Sequence, residues 1–238
     1  MFLKAFDSLP EEFKNDTTRA IYEKLKKRKI SRILKRAFDV AVSLVVLIIL
    51  LIPMGIIALA IAADSRGGVF FCQKRVTTFG KEFKIYKFRT MVKNAESLGA
   101  AVTTDGDVRI TKVGKFLRKY RLDEFPQLIN ILKGDMSFVG TRPEVPKYVS
   151  SYTPQMYATL LLPAGITSLA SIRYKDEERL ISASSDADKT YIEEILPEKM
   201  KFNLEYMENF SFFGDIKLMF MTFFAVITPE KEETGVEI

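Results

Sequence analysis

Residues 40–63 read VAVSLVVLIILLIPMGIIALAIAA, two dozen consecutive positions without a charged side chain. As a helix, this stretch is long enough to cross about 30 Å of hydrocarbon. It begins too far from the N-terminus, and runs too long, for the apolar region of a cleaved secretion signal. The stretch therefore predicts a membrane helix.

Two features of this stretch favour a helix that re-enters the membrane. Pro53, with Gly55 close behind, predicts a kink or break at residues 49–53, because Pro removes a helix hydrogen bond and clashes with the preceding turn. Lys and Arg are equally frequent on both flanks, whereas a spanning helix has an excess of them on its cytoplasmic side. A helix that enters, bends at Pro53 and leaves by the same face explains both features. An ordinary spanning anchor stays open as the alternative.

Three flanking segments are interpreted from their composition. Residues 11–40 are typical of a helix on an anionic membrane surface, with a solvated charged helix as the alternative for residues 11–29. Their apolar residues at helical spacing among basic ones are Ile21, Leu25, Ile30, Ile33, Leu34 and Phe38. Residues 202–227 are rich in Phe and Met, but their uncharged part is too short to span, so interfacial burial is favoured over core packing. Residues 228–238 are predicted to be a disordered tail.

Composition excludes several classes of chemistry. The chain has no His, which removes Ser-His-Asp and Cys-His nucleophiles and imidazole metal sites. Its single cysteine, Cys72, excludes an internal disulfide and a Cys-rich zinc site. With 36 Lys and Arg against 30 Asp and Glu, the net charge of +6 favours an anionic partner. No nucleic-acid-binding signature accompanies the charge, so nucleic acid is not expected as a partner.

The remainder of the chain predicts a mostly helical domain. Residues 67–76 and 81–91 are rich in β-branched and aromatic side chains and surround a Thr-Thr-Phe-Gly turn, which predicts a short β-hairpin. Residues 116–140 predict two helical pieces, interrupted near Pro126 and ended by a Gly. Residues 161–180 are interpreted as a Pro/Gly loop that passes into a polar segment.

Two neighbouring carboxylates, Asp123 and Glu124, lie within RLDEFPQL (121–128). Adjacent side chains on a helix diverge by about 100°, so two distinct roles are easier to support than one shared proton. Acidic residues ahead of a helix, with Pro126 in its first turn, are also ordinary helix-start signals.

Cations surround these carboxylates in the sequence. Arg118 and Arg121 precede them, and Lys87 and Arg89 lie in the predicted hairpin. Arg142, between a Gly and a Pro, suits bidentate phosphate recognition, with a surface ion pair as the alternative. A Mg²⁺ ion with a diphosphate would explain carboxylates among cations, because Mg²⁺ binds through one or two carboxylates plus substrate phosphates. Phosphoryl chemistry beside a membrane is the leading interpretation.

Five blocks together resemble the bacterial sugar transferase family, the monotopic polyprenol-phosphate phosphoglycosyl transferases. The blocks appear in the family's order and cover about residues 31–227. The chain shows no multi-helix N-terminal extension of the kind that large members have, so it resembles the small members. The blocks are KRAFD (35–39), GGVFFCQKRV (67–76), FKIYKFRTM (83–91), residues 111–144 around LDEFPQL, and LPAGIT (162–167).

The resemblance implies an enzyme that moves a sugar 1-phosphate from a UDP-sugar to polyprenyl phosphate, usually undecaprenyl phosphate, and releases UMP, the first step of surface glycan synthesis. In such enzymes the Asp of the Asp-Glu pair is the nucleophile, so Asp123 would hold a covalent phospho-sugar. Mg²⁺ would bind beside Asp123, and Glu124 would support geometry or proton and metal handling. The other matched positions are the phosphate-binding or site-shaping Lys87, Arg89, Arg118 and Arg142, and the anchor and hinge Arg36, Asp39 and Pro53.

The expected fold class is therefore α+β, mainly helical: a re-entrant membrane helix-break-helix plus a compact cytoplasmic domain with a small β-hairpin and interfacial amphipathic helices. Its segments are a polar and basic amphipathic extension (1–30), the re-entrant helix (31–65), the catalytic domain with C-terminal interfacial helices (66–227) and the tail (228–238). The expected location is the cytoplasmic face of the bacterial inner membrane, with membrane lipids and a second copy of the chain as candidate partners.

The chain departs from the family pattern at three places: Ile52 where small members often have Ser before the Pro, Thr77 where Gly is common, and residues 168–178 after LPAGIT. The identity of the sugar is the inference that transfers least. Two rival functions stay open, namely a sugar-only glycosyl transferase that releases UDP, and a membrane-tethered polyanion-binding protein without turnover.

Overall fold

A computed structural model of the chain describes residues 3–95, 107–174, 181, 183–184 and 186–227. Within them the chain is mainly helical with two small sheets, which confirms the predicted α+β class. The expected disordered tail, 228–238, lies outside the described residues.

The elements follow one another in this order. The helices are α1 (Asp16–Lys27), α2 (Lys29–Asp64), α3 (Lys112–Lys119), α4 (Gln127–Lys133), α5 (Pro146–Val149), α6 (Leu169–Arg173), α7 (Ala187–Thr190), α8 (Leu196–Asn209) and α9 (Phe212–Ile227). The strands are β1 (Phe70–Val76), β2 (Glu82–Phe88), β3 (Met136–Val139) and β4 (Ala164–Thr167). Short 3₁₀ helices cover Phe6–Ser8, Glu11–Phe13, Thr78–Gly80, Leu122–Glu124 and Pro154–Leu161, and a π-helical turn covers Tyr191–Ile195.

Helix α1 is amphipathic, and its apolar side is buried in the domain. Asn15 begins the helix by accepting a hydrogen bond from the Thr18 backbone N–H at 2.9 Å. Ile21 and Leu25, 1% and 0% exposed, belong to the same core cluster as Phe210. The structure thus corrects both interpretations for residues 11–29, because the apolar side of α1 covers protein core, not lipid or water. Ile30, Ile33 and Leu34, at the start of α2, are exposed, and for them the membrane-surface interpretation stays a prediction.

The membrane segment forms one continuous helix, α2, of 36 residues with Pro53 in its interior. The predicted break at residues 49–53 is not confirmed. Pro53 lacks an N–H and so costs the helix one hydrogen bond, while the bonds on either side persist. Among the described helices, α2 alone has the length and apolar composition of a membrane-crossing helix. Its exposed apolar residues are Ile30, Ile33, Leu34, Val40, Leu44, Val45, Ile48, Ile49, Leu51, Ile52, Ile56 and Leu59.

Both ends of α2 are attached to the rest of the domain. Near its start, the Lys35 Nζ lies 2.6 Å from a carboxylate oxygen of Asp215 in α9. Arg36 donates hydrogen bonds to the carbonyls of Ile131 and Leu132, at 2.6 and 2.9 Å, and so satisfies the C-terminal end of α4. At the other end, the Asp64 carboxylate accepts a hydrogen bond of 3.0 Å from the backbone N–H of Val113. The domain therefore contacts α2 along its length.

The predicted hairpin is confirmed. Strands β1 and β2 are antiparallel, with Phe71 opposite Lys87. In the turn between them, Phe79 and Gly80 have φ values of 58° and 75°, a conformation that Gly adopts without steric cost. Phe83 in β2 packs against Leu128 of α4 and thereby seats the hairpin on the domain.

The predicted interruption between two helical pieces is also confirmed. Helix α3 ends at Lys119, and α4 begins after Pro126. Gly134 ends α4 in the left-handed region with φ 86°.

A second sheet, made of β3 and β4 in parallel, was not predicted from the sequence. Met136 lies opposite Ala164, and Val139 lies opposite Thr167. Each strand has only four residues, too few to show an alternating pattern. The region that the sequence predicts to be a Pro/Gly loop thus begins with a strand, because a distant segment supplies its hydrogen-bond partners.

The Phe- and Met-rich C-terminal region divides into two helices with different surroundings. Helix α8 buries Met200 and Met207 in the core, whereas α9 exposes its aromatic residues. The exposed aromatic residues of α9 are Phe213, Phe220, Phe223 and Phe224. The predicted interfacial burial therefore suits α9, and core packing describes α8.

Two ion pairs that join the N-terminal helices to α8 and α9 predict unequal stabilities. The Lys35–Asp215 pair is 3% and 5% exposed, whereas the Lys24–Glu208 pair, at 3.8 Å, is 51% and 49% exposed. We expect Asp215→Asn to lower the free energy of unfolding by about 1.5–3 kcal/mol, because the buried Lys35 loses its partner at 2.6 Å and keeps only the charge of Asp39, while burial, which raises the pKa of Asp215, offsets part of the loss. Glu208→Gln should change it by less than about 1 kcal/mol. Thermal melts of the purified variants in detergent would measure both changes. Equal shifts in melting temperature would contradict the conclusion that the buried pair stabilises the fold more than the exposed pair.

Candidate active site

Asp123 and Glu124 lie in the 3₁₀ turn that joins α3 to α4, and both side chains are buried, at 6% and 7% exposure. The turn is set up by Arg121, a non-Gly residue in the left-handed region with φ 56°. This conformation is uncommon for a side chain of that size and is typical of tight turns and functional sites. The chain therefore directs both carboxylates inward at a helix junction, instead of leaving them as solvated helix-start residues.

The Glu124 carboxylate pairs with two cations from distant elements. One of its oxygens lies 2.9 Å from the Lys87 Nζ in β2 and 2.6 Å from the Arg142 Nη2 in the loop after β3. Arg142 also donates to the carbonyl of Ile166 at 3.2 Å. The hairpin, the α3–α4 junction and the loop after β3 thus meet at Glu124.

Asp123 has a different environment, although it adjoins Glu124 in sequence. Its nearest described cation is Lys87, 3.9 Å from one carboxylate oxygen. The other oxygen, Oδ1, is buried and accepts no hydrogen bond within the described residues. Asp123 is therefore the carboxylate with an oxygen available for a ligand.

The electrostatics separate the two carboxylates further. Burial raises the pKa of Asp123 above its ordinary value, and Lys87 and Arg118 only partly oppose this effect. Burial also acts to raise the pKa of Glu124, but the charges of Arg142 and Lys87 outweigh it, so that pKa lies well below its usual range. Burial lowers the pKa of Lys87. Glu124 is therefore an ionised carboxylate paired with Lys87 and Arg142, whereas burial disfavours the ionised form of Asp123.

Arg118 approaches the pair from α3. Its Nε donates to the Thr90 hydroxyl at 3.2 Å, and its positive charge acts on Asp123. A side chain at Gly114 would place its Cβ 2.0 Å from the Thr90 carbonyl oxygen, so only Gly permits this approach of α3 to Thr90. Of the predicted phosphate-binding residues, Lys87, Arg118 and Arg142 thus gather around Asp123 and Glu124.

The other predicted positions lie elsewhere. Arg89 donates to the carbonyl and the hydroxyl of Ser65, at 2.7 and 2.9 Å, and so holds the end of α2. Its predicted phosphate contact stays a prediction. Arg36 and Asp39 line a cavity of about 360 Å³ near the start of α2, and neither Asp123 nor Glu124 lines it. Pro53 lies in the interior of α2.

Two residues of the site region were not singled out from the sequence. Thr90 follows the hairpin, and its hydroxyl accepts the hydrogen bond from Arg118, which no local sequence pattern predicts. Gln127 is 0% exposed, and neither polar atom of its side chain has a hydrogen-bond partner within the described residues. The sequence signal for Gln127 was a polar residue in the first turn of α4, four positions after Asp123, among apolar residues that face the core.

The residues present fit a Mg²⁺ ion that is shared with a substrate. The described residues contain no group of three or more His, Cys, Asp and Glu that could enclose a metal by themselves. Mg²⁺ needs only one or two carboxylates when substrate phosphates complete its shell. The unpartnered Asp123 Oδ1 can supply one such ligand, whereas Glu124 is already occupied by two cations.

Comparison with known proteins places most of the chain in one family. A profile of the bacterial sugar transferase family matches residues 30–229. The chain is 36% identical over 199 residues to the UDP-N-acetylgalactosamine-undecaprenyl-phosphate N-acetylgalactosaminephosphotransferase of Aeromonas hydrophila, covering 82% of this chain and 44% of that protein. It is 35% identical over 199 residues to the UDP-glucose:undecaprenyl-phosphate glucose-1-phosphate transferase of Escherichia coli, covering 82% of this chain and 40% of that protein.

A third relative has a similar length. An uncharacterised sugar transferase of Bacillus subtilis is 34% identical over 204 residues, which cover 83% of this chain and 89% of that protein. The chain therefore spans less than half of the two relatives with named substrates and most of the third.

The contrast between the two carboxylates predicts opposite effects of isosteric amides on stability at pH 7. Asp123→Asn should raise the melting temperature, because an ionised group with a raised pKa costs stability above its unfolded pKa. This gain should fade as the pH falls through the folded pKa of Asp123. Glu124→Gln should lower the free energy of unfolding by about 1.5–3 kcal/mol, because it removes the charge that pairs with the partly exposed Lys87 and Arg142. About 2–4 °C of melting temperature corresponds to each kcal/mol in a chain of this size.

Thermal melts of both variants at pH 7 and at pH 4 would test this pair of expectations. The stabilising contribution of Glu124 should persist at the lower pH, since its folded pKa lies below the ordinary value and the contribution is lost only as pH falls through it. Shifts of the same sign for the two variants at pH 7 would show that the assignment of the two environments is wrong.

Proposed function

The chain belongs to the bacterial sugar transferase family, and we propose that it moves a sugar 1-phosphate from a UDP-sugar to a polyprenyl phosphate such as undecaprenyl phosphate, releasing UMP. The names of its relatives, which combine a sugar phosphate transfer with undecaprenyl phosphate, support this reaction class. The observation that argues most strongly for it is the buried Asp123, which has an unpartnered oxygen beside cations suited to phosphate.

In the proposed first step, an Asp123 oxygen attacks the phosphorus that bears the sugar. A bond forms between that oxygen and phosphorus, the bond from phosphorus to the bridging oxygen of the diphosphate breaks, and its electron pair leaves with UMP. In the second step, a phosphate oxygen of the lipid attacks the same phosphorus and displaces the Asp123 carboxylate. Two displacements of this kind are typical of nucleophilic covalent catalysis. The nucleophile is regenerated and the sugar phosphate ends on the lipid.

The surrounding residues would stabilise charge and position the reacting groups. Asp123 is poorly solvated and only weakly paired, which leaves its oxygens available to attack. Lys87 and Arg118 would stabilise the negative charge on phosphate oxygens during each displacement. Glu124 would hold Lys87 and Arg142 in place through its two ion pairs. This arrangement explains how neighbouring carboxylates serve as nucleophile and positioning group.

A Mg²⁺ ion is part of the proposal. Asp123 and the donor diphosphate would hold it, and when bound it neutralises diphosphate charge and orients the leaving group.

We also propose that the protein sits on one face of the membrane, the cytoplasmic face of the inner membrane. Both ends of α2 contact the same domain, through Arg36 with α4 and Asp64 with α3. A helix that crossed the bilayer would separate these contacts by about 30 Å of hydrocarbon. The exposed apolar residues of α2 and the exposed aromatic residues of α9 would then enter the same leaflet. A helix that leaves by the face it entered is consistent with basic residues on both flanks.

The reaction predicts Asp123-dependent release of UMP. The purified full-length protein in detergent would be given a panel of UDP-sugars, polyprenyl phosphate and Mg²⁺. We expect one donor or a few to yield UMP, a loss of at least about 10³-fold in Asp123→Asn, and loss on chelation with EDTA. Without acceptor, intact-protein mass should increase by one sugar phosphate in the wild type only.

Each alternative has its own result in this assay. Release of UDP would show transfer of the sugar alone. UMP release that persists in Asp123→Asn would contradict the assigned nucleophile. Asp135→Asn is a matched control, because this partly buried carboxylate forms its described salt bridge with the surface residue Lys81, so its replacement should leave turnover unchanged.

The membrane arrangement predicts equal accessibility on the two sides of α2. In a Cys72→Ser background, Glu23→Cys and Lys115→Cys would place single thiols before and after α2 at exposed positions. A membrane-impermeant maleimide should label neither thiol in intact spheroplasts and both after lysis. Labelling of one site but not the other in intact spheroplasts would show that α2 spans the membrane.

A further inference from the structure

The loop that carries Arg142 is held at several points outside the candidate site. This loop, residues 141–144, follows β3. The Thr141 carbonyl accepts a hydrogen bond of 2.9 Å from the Gly165 N–H, and the Pro143 carbonyl accepts one of 3.0 Å from Arg75. The Glu144 carbonyl accepts one of 3.0 Å from the Val76 N–H. The backbone of the loop is therefore fixed by β1 and β4.

The side chain of Glu144 enters a buried network on the side of α8. A Glu144 carboxylate oxygen accepts a hydrogen bond of 2.6 Å from the Tyr191 hydroxyl and lies 3.4 Å from the Lys199 Nζ. Lys199 also donates to the Tyr191 hydroxyl at 2.8 Å. All three side chains are less than 10% exposed. Lys199, the Tyr191 hydroxyl and Arg75 lower the pKa of Glu144 against the effect of burial.

The position of Tyr191 depends on an irregular turn. The residue begins the π-helical turn that precedes α8, and single π turns inside helices are frequent at functional sites. Its ring packs against that of Tyr148, with centroids 4.4 Å apart, and the Tyr148 hydroxyl donates to Asp188 at 2.7 Å. Ring packing therefore helps to orient the Tyr191 hydroxyl toward Glu144, in addition to its hydrogen bond.

We propose that Glu144, Tyr191 and Lys199 form a positioning network that fixes the 141–144 loop and thereby holds Arg142 on Glu124. The three residues touch no reacting group themselves. Their catalytic effect rests on the proposed function, whereas their effect on the loop does not.

The physical reason is that Arg142 is the more exposed member of its ion pair with Glu124. Its side chain is 33% exposed, against 9% for Glu124, and a long side chain at that exposure loses rotamer freedom when it is held in one place. Pro143 stiffens the link between Arg142 and Glu144. A loop anchored by a buried ionised carboxylate fixes the backbone from which Arg142 reaches Glu124, and small displacements at such a site cost up to about a hundredfold in rate.

The test compares Tyr191→Phe with Tyr22→Phe in the full-length protein. Tyr22 is a matched control: it is a buried tyrosine in α1 whose hydroxyl donates to the Lys4 carbonyl at 2.9 Å, outside the network around Glu144. Hydrogen exchange at Val76 and Gly165, whose amides donate to loop carbonyls, reports whether the loop stays in place. We expect exchange about tenfold faster in Tyr191→Phe and unchanged in Tyr22→Phe.

Kinetics supply the second readout. Tyr191→Phe should lower kcat/KM for UMP release about tenfold, and Tyr22→Phe should not change it. In an Arg142→Lys background, Tyr191→Phe should cause less than about a twofold further loss, because residues that act through one another are not additive. Should Tyr191→Phe fail to fold, Glu144→Gln provides the same comparison with the carboxylate charge removed.

Unchanged exchange at Val76 and Gly165 in Tyr191→Phe would overturn the network, whatever the kinetics. Faster exchange combined with full additivity toward Arg142→Lys would overturn the claim that the network acts through Arg142. Absence of UMP release from the wild type would refute the proposed function alone, and the exchange comparison would still decide whether the network holds the loop.

Discussion

The buried contact of Glu124 with Lys87 and Arg142 is the constraint on which the site depends. It gathers three segments that are far apart in sequence, namely the hairpin, the α3–α4 junction and the loop after β3. A carboxylate taken out of water is strongly unfavourable unless it is paired and hydrogen-bonded, so the fold must bring both cations to it. Once they are there, Asp123 next to it is left buried and weakly paired. The unpartnered oxygen of Asp123 therefore accompanies the fully paired state of Glu124.

The membrane helix provides the frame for this arrangement. Lys35, Arg36 and Asp64 attach α2 to α9, α4 and α3, and the elements around Asp123 are seated on these contacts. One side of α2 thus serves as a core surface for the domain, while apolar residues on its other sides are exposed. In the proposed membrane arrangement, a site attached in this way would lie at a fixed height above the lipid, as the proposed reaction between a water-soluble donor and a lipid acceptor requires.

Much of the candidate site could be predicted from the sequence, because its residues lie in short, distinctive blocks. Asp123, Glu124, Lys87, Arg118 and Arg142 meet as expected, and the hairpin and the Gly134 helix end are where turn and cap chemistry predict them. The β3–β4 pair was missed because each strand is defined by its distant partner. The environment of α1 was misassigned because an amphipathic pattern predicts a buried side without saying whether lipid or protein covers it. Helix α2 continues through Pro53, so the predicted break is not confirmed, while the predicted kink at this residue stays a prediction.

By itself, the sequence determined the long apolar helix and the mainly helical class of the domain, since these follow from composition and periodicity, and together with the family resemblance it predicted the candidate site residues. Only the tertiary structure decided which of two adjacent carboxylates is paired and which keeps an unpartnered oxygen. Only it decided that Arg89 holds a helix end, and that Glu144 reaches Tyr191 and Lys199 across the domain. The reason is physical: charge pairing and burial depend on distances between segments remote along the chain, and no local pattern encodes those distances.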